Sequence, residues 1–206
     1  MSAGAESRAR PPVLEPEAAD EPTQALWVGT RLVCGSTAFF FLPFVYAFFY
    51  LRAVDTSDAW KPAGIETPLW AGIAVTTCAL GWALLARLAA GDAMRHAHGR
   101  ALGAGWAAFA VGLLAIVLQG AAYARLGFGP ADGGFASVYV AASGALVLVL
   151  FLATMWLETV LVAFHRTKAD PEGLPLEQVR RLQAFAFYSA FLAGIALVFF
   201  VILYLL

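Results

Sequence analysis

The chain has 206 residues, of which 61% are hydrophobic and only 13% charged, and its mean hydropathy is +0.76. A soluble domain carries ~45–50% apolar and ~25% charged residues, so the composition excludes a free-standing soluble domain and points to an integral membrane protein. A formal net charge of −1 at pH 7, with no basic stripe, excludes nucleic acid as a partner.

Residues 1–24 are rich in Pro, Ala, Glu and Arg. They have too few apolar side chains to bury and are expected to form a disordered cytoplasmic tail. The apolar run that follows is too long for a signal-peptide core, and no small-residue cleavage site follows it. It is therefore expected to stay as an anchor.

Five runs long enough to cross a bilayer follow. The first is about 26–51, holds Arg31 near its start, and contains Pro43, which removes one helical hydrogen bond. A polar loop with Asp55, Asp58, Trp60, Lys61 and Glu66 leads to a second span at about 68–90. A short loop carrying Asp92, Arg95, His96 and His98 precedes the third span, about 100–123. Turn signals at Gly127-Phe128-Gly129-Pro130 and Asp132-Gly133-Gly134 separate it from the fourth span, about 135–164. A charged loop broken by Pro171 and Pro175 leads to the fifth span, about 182–206. Residues 176–182 are expected as a separate interfacial helical turn. The predicted fold is an all-α bundle of five transmembrane helices forming one domain over residues 25–206.

Basic residues set orientation, since cytoplasmic loops retain Lys and Arg. One side holds ten: Arg8, Arg10, Arg31, Arg87, Arg95, Arg100, Arg166, Lys168, Arg180 and Arg181. The other holds three, Arg52, Lys61 and Arg125. This predicts a cytoplasmic N-terminus and, with an odd number of spans, an external C-terminus. Trp27, Trp60, Trp70 and Tyr204 lie near the predicted interfaces, where aromatic anchors sit.

Lipid tails are as apolar as leucine, so transmembrane helices associate through small residues that allow close approach. The third span has Gly99, Gly103, Gly105, Ala108, Gly112, Ala115 and Gly120 at helical spacing. The fourth offers Ala141, Ser143, Gly144 and Ala145, and the fifth Ser189, Ala190, Ala193 and Gly194. These faces serve internal packing or the docking of a larger subunit.

A charge inside the hydrocarbon needs a reason. Glu158 lies one to two turns from the cytoplasmic end of the fourth span, and Arg31 lies at similar depth on the first. They are candidates for an intramembrane ion pair or for lipid-headgroup contact, with Arg31 able to snorkel. Gln119 and the hydroxyls of Ser36, Thr37, Thr76, Thr77, Ser143 and Thr154 are too sparse for a substrate path, and the hydroxyls can bond to their own helices. Cys34 and Cys78 lie in apolar runs and read as small hydrophobes. His96, His98 and His165 all fall in loops, so no span offers an imidazole to haem or copper. No catalytic or metal site is assigned.

Several stretches carry a family likeness. They are Gly35-Ser36-Thr37-Ala38-Phe39-Phe40-Phe41 leading to Tyr50-Leu51-Arg52, and Trp60 to Pro68. They also include Phe135-Ala136-Ser137-Val138-Tyr139 followed by Gly144, and the ending Phe199-Phe200-Val201-Ile202-Leu203-Tyr204-Leu205. Over about residues 25–206 the chain resembles subunit III of haem-copper (cytochrome c) oxidases, in the short bacterial five-helix form. The resemblance aligns the family's intramembrane Glu with Thr37. It aligns the two His of the penultimate helix with Leu146 and an apolar neighbour, and places the Trp-His pair of the last helix near Phe187 and Tyr188. The resemblance thus implies a divergent subunit III, or a relative serving a different complex, in which the family's polar centre is missing as a set.

The resemblance implies a non-redox accessory subunit in a bacterial plasma membrane. It would stabilise the catalytic subunit, contact oxidase subunits I and II, and bind phospholipid between its helices. Haem and copper would reside in the partner, with no cofactor on this chain. An arginine-to-lysine ratio of eleven to two fits a GC-rich bacterial genome. The alternatives are a nitric-oxide-reductase accessory protein of the same family, a small membrane transporter, and a membrane anchor for a soluble partner.

Overall fold

The structure, a computed structural model, describes residues 21–55, 60–62, 64–166 and 175–206. The expected tail, as far as residue 20, lies outside the described residues, as do Asp58, Lys168 and Pro171. Five helices are long and apolar enough to cross a membrane, and no strand occurs among the described residues. They are α1 (Glu21–Val54), α2 (Leu69–Met94), α3 (His98–Ala124), α4 (Gly134–Arg166) and α5 (Leu176–Phe200). The final turn, Val201–Leu205, widens into π geometry, with the Leu206 N–H donating to the Val201 carbonyl at 3.1 Å.

Each helix extends past its apolar run. α1 starts at Glu21 rather than 26 and continues through Pro43 to Val54. The expected separate turn at 176–182 is instead the first part of α5, which begins directly after Pro175. Proline preset for the helix start, Glu177 in the first turn and an ion pair from Glu177 to Arg181 favour helix here despite the charge.

The helices meet through small side chains. α2 turns Ala71, Gly72, Ala79, Ala83, Ala86 and Ala90 inward, and it packs extensively on α3 and also on α5. α3 answers with Ala101, Gly105, Ala108, Gly112 and Ala115. A Cβ on Gly112 would lie 2.7 Å from the Thr154 Oγ1 and 3.1 Å from the Trp82 ring, and one on Gly105 would run into Leu161. Both glycines exist because a neighbouring helix fills the space of a side chain. Gly99, Gly103 and Gly120 face open space instead, so only the middle of the expected glycine face is a packing face.

α5 is the hub. It touches α1, α2 and α4, while α3 packs on α2 and α4, and α1 on α4. α1 and α2 do not pack along each other, so the bundle is open on that side, with α5 as the floor of the opening. The core holds Trp82, Phe48, Phe164, Phe185, Leu157, Leu161, Leu182 and Leu192. Cys34 is buried, Cys78 half-buried, and both are free thiols.

Candidate functional site

Polar groups within the bundle sort into three places. The first is at mid-helix. Thr154 donates to the Leu150 carbonyl at 2.8 Å and Ser189 to the Ala186 carbonyl at 3.0 Å. These are the expected bonds of hydroxyls to their own helices. Thr37 behaves differently. It is buried and its Oγ1 lies 3.3 Å from the Tyr188 hydroxyl, a bond between α1 and α5. Trp156 of α4 packs on the Tyr188 ring at 5.6 Å between centroids, so three helices converge on this pair.

The second place is the end of the bundle near the α1 C-terminus. Tyr139 and Tyr204 share a hydroxyl–hydroxyl bond of 2.8 Å. Tyr123 and Ser143 share one of 2.6 Å. Gln119 lies buried beside them with its Nε2 unpartnered. The Tyr204 ring fills the space above Gly72, where a Cβ would come within 2.7 Å of it. Trp60 sits between Phe48 and Phe135, at 5.2 and 5.7 Å, and its carbonyl accepts from the Phe135 N–H at 2.9 Å. Lys61 lies over the Phe135 ring at 4.7 Å, and Arg52 donates to the Leu206 carbonyl at 2.9 Å. Tyr204 and Trp60 are therefore built into the bundle rather than standing at its surface, whereas Trp70 is exposed. Sequence reading missed this network, although the recurrence of tyrosine at the same end of three spans was its signal.

The third place is the opposite, arginine-rich end. Arg31 is exposed on α1 and Glu158 half-buried on α4. The two ion pairs formed among the described residues are Arg100–Asp92, at 3.9 Å, and Arg181–Glu177. Arg31 and Glu158 are thus not brought together, and contact with headgroups is the part of that expectation left to them. His98 turns into the bundle, stacks on Phe164 at 4.9 Å and has its Nε2 3.2 Å from the Phe164 carbonyl.

Between α1 and α2, over α5, lies a groove. Its mouth is a cavity of about 790 Å³ lined by Trp27, Arg87, Met94, Arg180 and Gln183, among others. It continues as an apolar trough of about 480 Å³ bounded by Ala38, Leu42 and Val45 of α1 and Gly194 and Val198 of α5. The two share Ala190 and Phe191.

The sequence profile of cytochrome c oxidase subunit III matches residues 17–206, which takes in all five helices. The chain belongs to the cytochrome c oxidase subunit III family. Comparison with curated proteins gives no match. Membership makes this a membrane protein that associates with other oxidase subunits.

Within the subunit III bundle, two of the positions singled out by resemblance turn out to be neighbours. Thr37, aligned with the family's Glu, and Tyr188, near the place of the Trp-His pair, form the α1–α5 hydrogen bond. Leu146, aligned with one of the His, is buried in α4. A buried carboxylate needs a partner or it is costly. Two neutral hydroxyls that satisfy each other bury no lone charge. The arrangement can tie two helices together, and it offers no carboxylate to carry a proton.

Proposed function

We propose that the chain is the non-redox accessory subunit of a bacterial cytochrome c oxidase. It stabilises the catalytic subunit in the plasma membrane, contacts subunits I and II, and binds phospholipid between its helices. The observation that carries this reading is the family match over residues 17–206, spanning the whole bundle. The haem and copper belong to the partner, because all three histidines lie at helix ends or in loops. The N-terminus is cytoplasmic and the C-terminus external, as the ten-to-three division of Lys and Arg favours. Arg31 and Glu158 then lie at the cytoplasmic interface, where their charges reach lipid headgroups.

A second reading has one specific observation in its favour. Thr37, Tyr188 and Leu146 stand at or near the places where the resemblance puts the family's Glu and His residues, which fits a member serving a nitric-oxide reductase in place of an oxygen-reducing oxidase. Both readings are tested by purifying the C-terminally tagged chain in mild detergent and identifying its companions. A haem-copper subunit carrying a copper-binding partner supports the oxidase. A haem–non-haem-iron subunit with a cytochrome c partner supports the reductase. Elution alone and colourless removes both.

A further inference from the structure

Glu158 stands apart from the other charges of the bundle. It lies eight residues before Arg166, the last residue of α4, which is about 12 Å along the axis at 1.5 Å per residue. Half of a ~30 Å hydrocarbon core is ~15 Å, so its stem leaves the helix inside the apolar layer. Among the described residues it takes no ion pair and no hydrogen bond. Its neighbours fix its direction. Thr154 and Leu161 of α4 occupy the space above Gly112 and Gly105 of α3. Glu158 is four residues after the first and three before the second, so it shares their side of the helix. Thr154 and Leu161 are fully buried and Glu158 is half-buried, which puts it at the outer edge of the α3–α4 contact. α1 lies on the other flank of α4, where Leu26 shares a cleft with Trp156, Thr159 and Val160. That is why Arg31 does not meet it.

Beside it, α3 carries a seam left open among the described residues. Gly103, Trp106, Ala110, Leu113, Val117 and Gly120 follow one another at alternate spacings of three and four, the period with which two helices pack side by side along their length. All are exposed apart from Leu113, which is half-buried. A Cβ on Gly103 or Gly120 would meet nothing within 4 Å. Glycine inside a helix is unfavourable relative to alanine. Gly105 and Gly112 offset this through close contact within the bundle, whereas Gly103 and Gly120 do not. Small outward residues let a second helix backbone approach, and a flexible acyl chain needs no such bay. The seam and the carboxylate coincide in depth. Gly105 faces Leu161 and Gly112 faces Thr154, so in this antiparallel pair Glu158 is level with Ala108, midway between Trp106 and Ala110.

We propose that the outward seam of α3, with Glu158 at its edge, docks a transmembrane helix of the large haem-binding subunit, and that this helix carries a lysine or arginine opposite Glu158. This rests on the oxidase reading and adds to it the face and the charge that hold the two chains together. Carboxylates at such depth pair with an opposite charge. In the chain alone only headgroups are open to Glu158, and in the complex the partner's cation takes their place. Packing of this period crosses at about 20°, so the contact runs along α3 rather than touching it at one point. An apolar seam alone slides in register, and a single polar pair within it fixes the register.

The test is made in the native membrane with the full, tagged chain. Photoreactive benzoylphenylalanine replaces Trp106 on the seam in one variant and Phe39, 75% exposed on α1, in another. After illumination the chain is purified, its haem spectrum recorded, and the joined peptides sequenced by mass spectrometry. The expected result is that the Trp106 position joins the haem-binding subunit, on a transmembrane segment with a lysine or arginine within one turn. Glu158→Gln then lowers the apparent affinity for that subunit about tenfold in a detergent dilution series, and Gly103→Val lowers it too. Glu158→Lys is rescued by changing the partner's cation to Glu. Melting of the isolated variants as wild type separates docking from folding, and the two photoreactive positions need neither variant. Joining from Phe39 alone, or lipid adducts or a second copy of this chain at Trp106, overturns the proposal and leaves the oxidase reading standing. So does unchanged affinity in both Glu158→Gln and Gly103→Val. A colourless chain joined to no haem-binding subunit from either position overturns both.

Discussion

The two ends of the bundle are built on opposite principles. At the end with the α1 C-terminus, polar side chains other than the Gln119 Nε2 are spent within the bundle: Tyr139 on Tyr204, Tyr123 on Ser143, Arg52 on the Leu206 carbonyl. Aromatic rings of Trp60, Phe48 and Phe135 close over them. At the arginine-rich end, Arg31, Arg87 and Glu158 make no ion pair among the described residues, Arg180 leaves its Nε unpartnered, and α1 stands away from α2. A satisfied polar group in a membrane holds helices together, whereas an unsatisfied one is available to something outside the chain. The first end is a clasp, and the second is a surface prepared for lipid or a partner.

Substitutions sharpen this contrast, and the largest effect belongs to the packed middle on which both ends depend. Gly112→Val places methyl groups against Thr154 and Trp82 and is expected to destabilise the bundle by about 3 kcal/mol. Gly103→Val, facing open space, shifts the melting temperature in detergent little. Equal losses for the two would contradict the close α2–α3–α4 contact.

Next comes the clasp. Tyr139→Phe leaves the Tyr204 hydroxyl without its partner and is expected to lose about 1 kcal/mol. Tyr139→Phe with Tyr204→Phe loses less than the two single losses added together. Additive losses in a double-mutant cycle would show that the hydroxyls act independently.

A smaller effect is expected at the α1–α5 bond. Thr37→Val removes a 3.3 Å contact and costs about 0.6 kcal/mol, the average for polar pairs between membrane helices. Tyr188→Phe gives a similar loss, and the pair is non-additive.

The smallest is at the open end. In a cycle of Arg31→Gln and Glu158→Gln, the coupling is expected within about 0.3 kcal/mol of zero, as for groups that share no contact. A coupling above about 1 kcal/mol would restore the direct ion pair.

Much of this fold is legible in the amino-acid sequence, because a span announces itself by length and apolarity. The start of α5 is not, because Glu177, Arg180 and Arg181 resemble a loop by charge. Yet a helix in a headgroup layer tolerates charge when Glu177 pairs with Arg181 one turn on. Periodicity gives the depth of a residue and not the direction it faces around the bundle. That is why Arg31 and Glu158 match in depth without meeting. It is also why Tyr123, Tyr139 and Tyr204, from three separate spans, could not be joined before the helices were placed. The groove is legible only from the failure of α1 and α2 to pack, a property of the assembly. Thr37 and Tyr188 were two of the positions that the resemblance marked together as departures, and the hydrogen bond between them could be found only once α1 and α5 were placed.

The central claim is that this chain works as part of an oxidase, so its companions are the most direct test. The C-terminally tagged protein, extracted in mild detergent from its own membrane, is to be purified, its reduced-minus-oxidised spectrum recorded, and its co-eluting chains weighed and identified. The account predicts haem bands and a large haem-copper subunit in near-equal amount with the tagged chain. A colourless chain eluting alone under the mildest extraction would contradict it.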